Sequence, residues 1–373
     1  MQRPITLTAL ARLPILQTLL VQGLAVLTAL LLGAVLILAT GGDPLLAYGG
    51  LWEGSLGRAD SLSETVVWAT PYILAGLAVA LAFRGGLFNI GAEGQLSVGA
   101  LAAATAGFGV HGLPWPIHAI VALVSGAIAG AIWAGIAGVL KARTGAHEVI
   151  VTIMLNYVAL LGAGYLLSGP LKDPSPFVVV AQTPKVLESA RVPVLVEGYR
   201  AHWGIVLALL CVGGGWWLLF RSTVGFAIRT VGLSPSAAQF AGISLGPTIV
   251  LTMLLSGGLA GLAGAIEVLG VNYYHTPAFS VGYGFDSIAV ALLGRSHPLG
   301  VVPSALLFGA LRAGATRMQF VSQIPIDVIS IVQGIILVLV AADELVRRLY
   351  GIGRRPGATS TQPAVARGWG RAG

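Results

Sequence analysis

The stretch "LQTLLVQGLAVLTALLLGAVLILAT" (16–40) decides the class of this protein, because it contains no charged residue. A transmembrane helix needs about 20 consecutive apolar residues, and this run is long enough. Arg3 and Arg12 precede it, as they would in a signal peptide, but the apolar run exceeds the usual length of a signal-peptide core. We therefore predict that it is an uncleaved first membrane span.

The composition extends this prediction to the whole chain. Of the 373 residues, 56% are hydrophobic and only 9% are charged, and the mean hydropathy is +0.88. Soluble domains contain about 25% charged residues. The repeated long apolar runs predict an all-α polytopic membrane protein rather than a β-barrel, whose strands would alternate over about ten residues. About ten transmembrane helices are expected, at 16–40, 65–83, 88–108, 117–140, 149–168, 203–220, 248–270, 284–294, 299–316 and 327–346.

The lengths of one predicted span and of two loops allow further predictions. The eighth run, 284–294, is too short to cross as a regular helix, so we expect it to use the preceding loop or to be broken. Two loops on the predicted outer side, 41–63 and 169–202, are long enough to contain structure. In the second loop, "FVVVAQ" (177–182) and "VPVLV" (192–196) are candidates for short strands.

The distribution of basic residues predicts the orientation. With the N-terminus inside, 14 Lys and Arg residues lie in inner segments and 7 in outer ones, which agrees with the positive-inside rule. We therefore predict a cytoplasmic N-terminus (1–15), a transmembrane domain (16–346) and a disordered, basic cytoplasmic tail (347–373). The net charge of +7 needs no nucleic-acid partner, because no basic run is interleaved with aromatic residues.

Catalytic and metal-binding patterns are missing from the sequence. The three lysines follow Leu, Leu and Pro, so no Gly-Lys-Ser/Thr of a phosphate-binding loop is present. Cys211 is the only cysteine, and the six histidines are scattered without metal-ligand spacing. We expect neither an enzyme nor a cofactor in this chain. If ATP drives the protein, another chain must hydrolyse it.

The largest inner loop, 221–247, contains a predicted short helix, "SPSAAQFAGI". Ser234 is a suitable N-cap, Pro235 suits the first helical position, and Gly242 is placed to end the helix. An ordinary interfacial helix between two spans would explain the same pattern. Small side chains would allow another backbone to approach; they are Ala237, Ala238 and Ala241.

Four stretches resemble ATP-binding-cassette importer permeases of the branched-chain amino acid and ribose group. They are "GFAIRTVGLSPSAAQFAGIS" (225–244), "FRGGLFNIGAEGQLSVGA" (83–100), "HEVIVTIMLNYVA" (147–159) and "GYGFDSIAVALLGRSHPLGVVPSALLFGALRAG" (282–314). The second and fourth are similar to the simple-sugar and nucleoside branch, and the third to the longer of its two paired permeases.

This resemblance implies a bacterial inner-membrane importer that moves nucleosides or related simple sugars. It also implies three partner proteins: a cytoplasmic ATPase that binds ATP and Mg, a second and distinct homologous permease, and an extracytoplasmic substrate-binding lipoprotein. In that family the loop matching 221–247 docks on the ATPase. The coupling residues implied here are Arg229, Ser234, Pro235, Ala237, Ala238, Ala241 and Gly242.

The stretch 83–99 also contains the first candidates for a substrate path. Its five glycines predict a broken helix, which is tolerated at membrane depth where it lines a cavity or is buried in protein. A carboxylate at that depth needs a partner or a task. Asn89, Glu93 and Gln95 therefore line the path or brace its gate. The alternative is structural: Glu93 pairs with Arg84 or caps a re-entrant turn.

Four further residues complete the predicted substrate path. Asn156 would bond a nucleoside or a neighbouring helix, and Tyr157 would stack on a base or belong to the core. Asp286 would serve the path or open the short eighth helix as its N-terminal carboxylate. Phe88 belongs to a pattern, "GLFNIGA", that weakly matches "GYGFDSIA" and suggests two related halves. A rival interpretation is a secondary transporter in which Glu93 or Asp286 couples ions to transport.

Overall fold

A computed structural model of the chain describes residues 14–277, 279–280 and 282–350. The predicted N-terminal segment before residue 14 and the tail beyond residue 350 lie outside the described residues. Helices account for most of the described chain, which confirms the all-α class. They are α1 (Pro14–Ala39), α2 (Pro44–Ser55), α3 (Ala59–Arg84), α4 (Ala92–Gly109), α5 (Ile117–Thr144), α6 (Glu148–Ser168), α7 (Gly204–Arg221), α8 (Thr223–Leu233), α9 (Pro235–Phe240), α10 (Leu245–Glu267), α11 (Tyr283–Leu293), α12 (Pro298–Ser322), α13 (Asp327–Ala341) and α14 (Asp343–Leu349).

Seven helical stretches are long and apolar enough to cross a membrane: 20–39, 59–84, 117–144, 148–168, 204–221, 245–272 and 298–322. The other three predicted spans correspond to α4, α11 and α13. The α11 helix has 11 residues, which is about 16 Å at 1.5 Å per residue. It is therefore short, as its sequence predicts. The total number of crossings and the cytoplasmic location of both termini stay predictions.

The two loops on the predicted outer side differ in outcome. No strand occurs in 169–202, where the described backbone has one short 3-10 turn at Glu188–Ala190 and a single isolated bridge between Val194 and His202. The expected strands at 177–182 and 192–196 are therefore wrong. Valine-rich sequence did not suffice, because no neighbouring strand pairs with these segments. The loop 41–63 contains the helix α2, which confirms the expectation that it has structure.

The described residues form two compact units. The first contains 14–54 and 314–350, where α13 packs on α1. A Cβ at Gly33 would lie 2.6 Å from Val332, so the missing side chain permits this close packing. The second unit contains 55–313 and all of the predicted site residues.

The core of the second unit is formed by α3, α4, α5 and α10. Most of α3 is buried, including Tyr72 and the apolar run after it. The run "SGGLAGLAGA" (256–265) has small residues at four-residue spacing, a pattern that predicts close helix packing. The contact is confirmed, because the backbones of Gly257 and Gly261 lie directly against that of Gly130 on α5. Lipid tails are as apolar as the side chains, so burying apolar side chains between helices adds little stability in a membrane. Close backbone contacts of this kind are therefore a main source of helix association.

Candidate functional site

The irregular backbone predicted for 83–99 is confined to the turn between α3 and α4, and α4 itself runs unbroken through Gly94 and Gly99. Gly86 has a φ of +72°, a conformation that favours glycine, and a Cβ there would lie 2.9 Å from the Cα of Gly232. The chain therefore turns at 85–91 against the end of α8, and the next helix begins at Ala92. This break is buried in protein, as irregular backbone at membrane depth must be.

A closed amide network holds this break. Asn89 and Gln95 bond each other reciprocally, with both N···O distances 2.8 Å. Asn89 Nδ2 also donates to Ser256 Oγ at 2.8 Å, and its Oδ1 accepts from the amide of Gly91 at 3.0 Å. Ser256 in turn donates to the carbonyl of Ala78. The network thus ties the start of α4 to α10 and α3, and it fills all four bonding positions of the Asn89 amide.

Asn156 extends this network from α6. Its Nδ2 donates to the carbonyl of Ile90 at 2.9 Å, and its Oδ1 accepts from the amide of Gly94 at 2.8 Å. Both contacts satisfy backbone groups that the broken helix leaves free. The geometry therefore favours the helix-to-helix role of Asn156. Tyr157, the next residue, is 61% exposed and lies away from this network, and Phe88 packs edge to face on Phe83.

The carboxylate of Glu93 joins two helix starts. It lies in the first turn of α4, and its Oε2 accepts from the amide of Gly284, in the first turn of α11, at 2.7 Å. A side chain at Gly284 would collide with the backbone of Glu93, so the two turns touch directly. Pairing with Arg84 is wrong, because Arg84 Nε donates to the carbonyl of Ser296 at 2.7 Å. The contacts of Glu93 are those of a brace.

Asp286 lies in the same first turn of α11, as its sequence position predicts. Its Oδ2 accepts from the hydroxyl of Tyr72 on α3 at 2.7 Å. Carboxylates in the first turn of a helix interact favourably with its macrodipole. The stretches "GLFNIGA" and "GYGFDSIA" therefore each contain the start of a helix, α4 and α11, and these two helices begin side by side.

A small cavity lies on the predicted outer side of the second unit. Its volume is about 160 Å³, and its walls include Trp68 of α3, Phe279, and Tyr283 at the start of α11. Glu267 at the end of α10 and Asn272 also line it. None of these residues was among those predicted for the substrate path. The signal available was the acidic residue in "LAGAIEVLGVNYY", a carboxylate within an apolar run.

The predicted short helix of the segment 221–247 is present as α9, and a further helix that was not predicted, α8, precedes it. Ser234 Oγ accepts from the amide of Ala237 at 3.3 Å, Pro235 begins α9, and Gly242 follows the helix with a φ of +77°. The side chains of α9 face two ways. Ala238 is fully buried against Leu87 and Met253, whereas Phe240 is 94% exposed.

Among the other predicted coupling residues, Ala237, Ala241 and Gly242 are exposed, and Ser234 and Pro235 are half-buried. Arg229 on α8 is also half-buried, with its guanidinium over the ring of Phe220. Phe240 was not among the predicted coupling residues. The signal for it was a large aromatic residue within a short helix of small residues.

Apolar helices of membrane-spanning length, a buried break between two helices and a closed amide network are typical of all-α membrane transport proteins. Residues 61–341 match the family described as branched-chain amino acid transport system, permease component. The chain belongs to this family.

Individual relatives are similar over most of the chain. The guanosine ABC transporter permease protein NupP of Bacillus subtilis is 44% identical over 346 residues, which cover 91% of this chain and 98% of NupP. The glucose ABC transporter permease protein TsgB13 of Haloferax volcanii is 34% identical, with 88% of each chain covered. The guanosine ABC transporter permease protein NupQ of Bacillus subtilis is 29% identical, with 66% of this chain and 78% of NupQ covered. No solved structure matches the chain.

Proposed function

We propose that this chain is a permease subunit of an ATP-binding-cassette importer that moves nucleosides or related simple sugars into the cytoplasm of a bacterium. The observation that carries the proposal is the 44% identity to NupP, a guanosine permease, over almost the full length of both chains. Simple sugars are included among the proposed substrates because the chain is also similar to the glucose permease TsgB13.

A separate ATPase supplies the energy in this proposal, and it binds the ATP and Mg. Its docking site on this chain is the exposed side of α9, at Phe240 and the neighbouring Ala241 and Gly242. An exposed aromatic side chain of this kind is typical of the anchors that dominate protein interfaces. Ala238, being buried, transmits movement of α9 to α10 rather than touching the ATPase.

The proposed complex has two further components. One is a second, distinct permease, which is supported by the similarity of this chain to both NupP and NupQ of one bacterium. The other is an extracytoplasmic lipoprotein that captures the substrate and delivers it to the outer side. The complex lies in the bacterial cytoplasmic membrane, with both termini of this chain in the cytoplasm.

Reconstitution into liposomes tests the proposal. We expect guanosine uptake only when this chain is combined with the ATPase, the second permease and the binding lipoprotein, with ATP enclosed. Vesicles containing this chain alone, under a proton or sodium gradient, are the control. Uptake by that control would support the ion-coupled alternative, in which Glu93 or Asp286 couples the ion, and would contradict the importer.

A further inference from the structure

The outer cavity has the size and walls of a site for one planar aromatic group. Its volume is about 160 Å³, and an apolar cavity of about 150 Å³ is enough to hold benzene. The rings of Trp68 and Tyr283 lie against each other, with centroids 5.7 Å apart, and Phe279 forms a further part of the wall. Aromatic walls suit a flat heterocycle because stacking does not depend on its substituents.

One polar group in this cavity is unsatisfied. Glu267 is only 6% exposed, and its Oε2 has no hydrogen-bond partner among the described residues. The carboxylate also interacts with Asn272 Nδ2, which lies 3.5 Å from Oε1, and with the hydroxyl of Tyr283. A buried carboxylate oxygen that has no partner is unfavourable unless a ligand supplies a donor.

The mouth of the cavity is polar and reaches the surface. Arg200, from the outer loop, pairs with Glu64 of α3 at 2.9 Å, and its side chain is 60% exposed. Both residues line the cavity beside the buried aromatic wall. A ligand whose ring enters first would therefore leave its hydroxyl-bearing part among these charged groups.

We propose that this cavity receives the base of an incoming nucleoside, with Glu267 accepting hydrogen bonds from adjacent N–H groups of that base. The N1–H and N2–H groups of guanine present this arrangement, and two parallel N–H donors match the two oxygens of a carboxylate. The pentose lies at the mouth, near Arg200 and Glu64. This inference rests on the proposed function and assigns the substrate class and the contacts of an outer-side site.

Saturation-transfer difference NMR on the detergent-solubilised full chain tests the site without any partner. Guanosine is the probe, and we expect transfer to the H8 proton of its base. Ribose alone gives no comparable signal. Glu267→Gln keeps the shape of the side chain but replaces one acceptor oxygen by a donor, so we expect about a tenfold weaker signal at equal concentrations. Glu188→Gln, in an exposed ion pair of the same outer loop, retains the full signal.

Two outcomes would overturn the inference: no transfer to guanosine in the wild-type chain, or equal transfer in the wild type and Glu267→Gln. If Glu267→Gln does not fold, Phe279→Leu replaces it, because it removes the ring and leaves an apolar side chain. An unchanged H8 signal in that variant would equally count against the site. Failure here with normal guanosine uptake by the complete importer would leave the proposed function intact.

Discussion

Glu93 and Glu267 are two buried carboxylates whose surroundings differ. Glu93 begins α4 and accepts a hydrogen bond of 2.7 Å from the amide of Gly284. Glu267 ends α10, and one of its oxygens has no partner among the described residues. A charged side chain within a membrane helix costs about 2.5–3.5 kcal/mol on insertion scales. The contact with Gly284 offsets part of that cost for Glu93. Asn272 and Tyr283 offset part of it for Glu267, but the Oε2 atom of Glu267 still has no partner among the described residues.

The asparagines near these two carboxylates, Asn89 and Asn272, differ in the same way in how far their hydrogen bonds are satisfied. Asn89 uses all its donors and acceptors within the chain, whereas Asn272 makes one long bond to Glu267. A polar group that is saturated by its own chain holds the fold in one arrangement. A polar group that is left unsaturated is available to a ligand. The helix break is therefore the brace of this permease, and the outer cavity is its candidate site for contact with substrate.

The largest expected effect comes from Asn89→Ala. The substitution leaves the buried amide of Gln95 and the amide of Gly91 without their partner, so we expect about 3 kcal/mol or more of destabilisation. Asn272→Ala, the matched control in the outer cavity, should cost less than about 1 kcal/mol because it removes only one long bond. Thermal unfolding of both variants in detergent measures the difference. Equal losses would remove the distinction between the two regions.

The exposed side of α9 extends the comparison to an apolar group. Phe240 is 94% exposed and has no stabilising role within the chain. We expect Phe240→Ala to weaken association with the ATPase by at least about tenfold without lowering thermal stability, as for an interface anchor. Co-purification of the ATPase measures this, and Gln239→Ala on the same helix is the control.

The buried neighbour on α9 should behave in the opposite way. Ala238 packs against Leu87 and Met253, so Ala238→Trp overfills the core and lowers stability whether or not the ATPase is present. A stable Ala238→Trp variant that lost only the ATPase would place Ala238, rather than Phe240, at the interface.

Local chemistry explains why part of the structure was predictable from sequence. The glycines of 83–99 predict the helix break, Ser234 and Pro235 predict the start of α9, and the spacing within 256–265 predicts a close helix contact. Each of these depends on residues near one another in the chain.

The missed features depend on distant contacts. Gly284 lies 191 residues from Glu93, so sequence spacing could not identify it as the partner. Ala238 and Phe240 are both apolar and two positions apart, and only the packing of α9 on its neighbours decides which is buried. The cavity at Glu267 combines α3, α10, α11 and two loops, which no local pattern brings together.

The carboxylates themselves give the next prediction. Glu93→Gln weakens a charge-assisted bond to the Gly284 amide, and we expect about 1.5 kcal/mol of destabilisation. Glu267→Gln removes a buried charge that is only partly compensated, because its Oε2 has no partner among the described residues, so the thermal stability of the variant should equal or exceed that of the wild type. Thermal unfolding of the two variants, measured in parallel, should therefore show a loss of stability for Glu93→Gln and no loss for Glu267→Gln, which would sharpen the comparison. A strong loss in Glu267→Gln would mean that Glu267 also stabilises the fold.

Tyr72→Phe should have the smallest effect. The substitution removes only the hydroxyl that bonds Asp286 at 2.7 Å and keeps the ring packed between Tyr283 and Phe308. Because Asp286 is only half-buried, water can replace the lost donor, and we expect a cost of about 1 kcal/mol. Tyr165→Phe, whose ring is 73% exposed on α6, is the control and should be neutral. A cost for Tyr72→Phe as large as that of Asn89→Ala would mean that the start of α11 is braced by Tyr72 and Asp286 as firmly as the start of α4 is by Asn89.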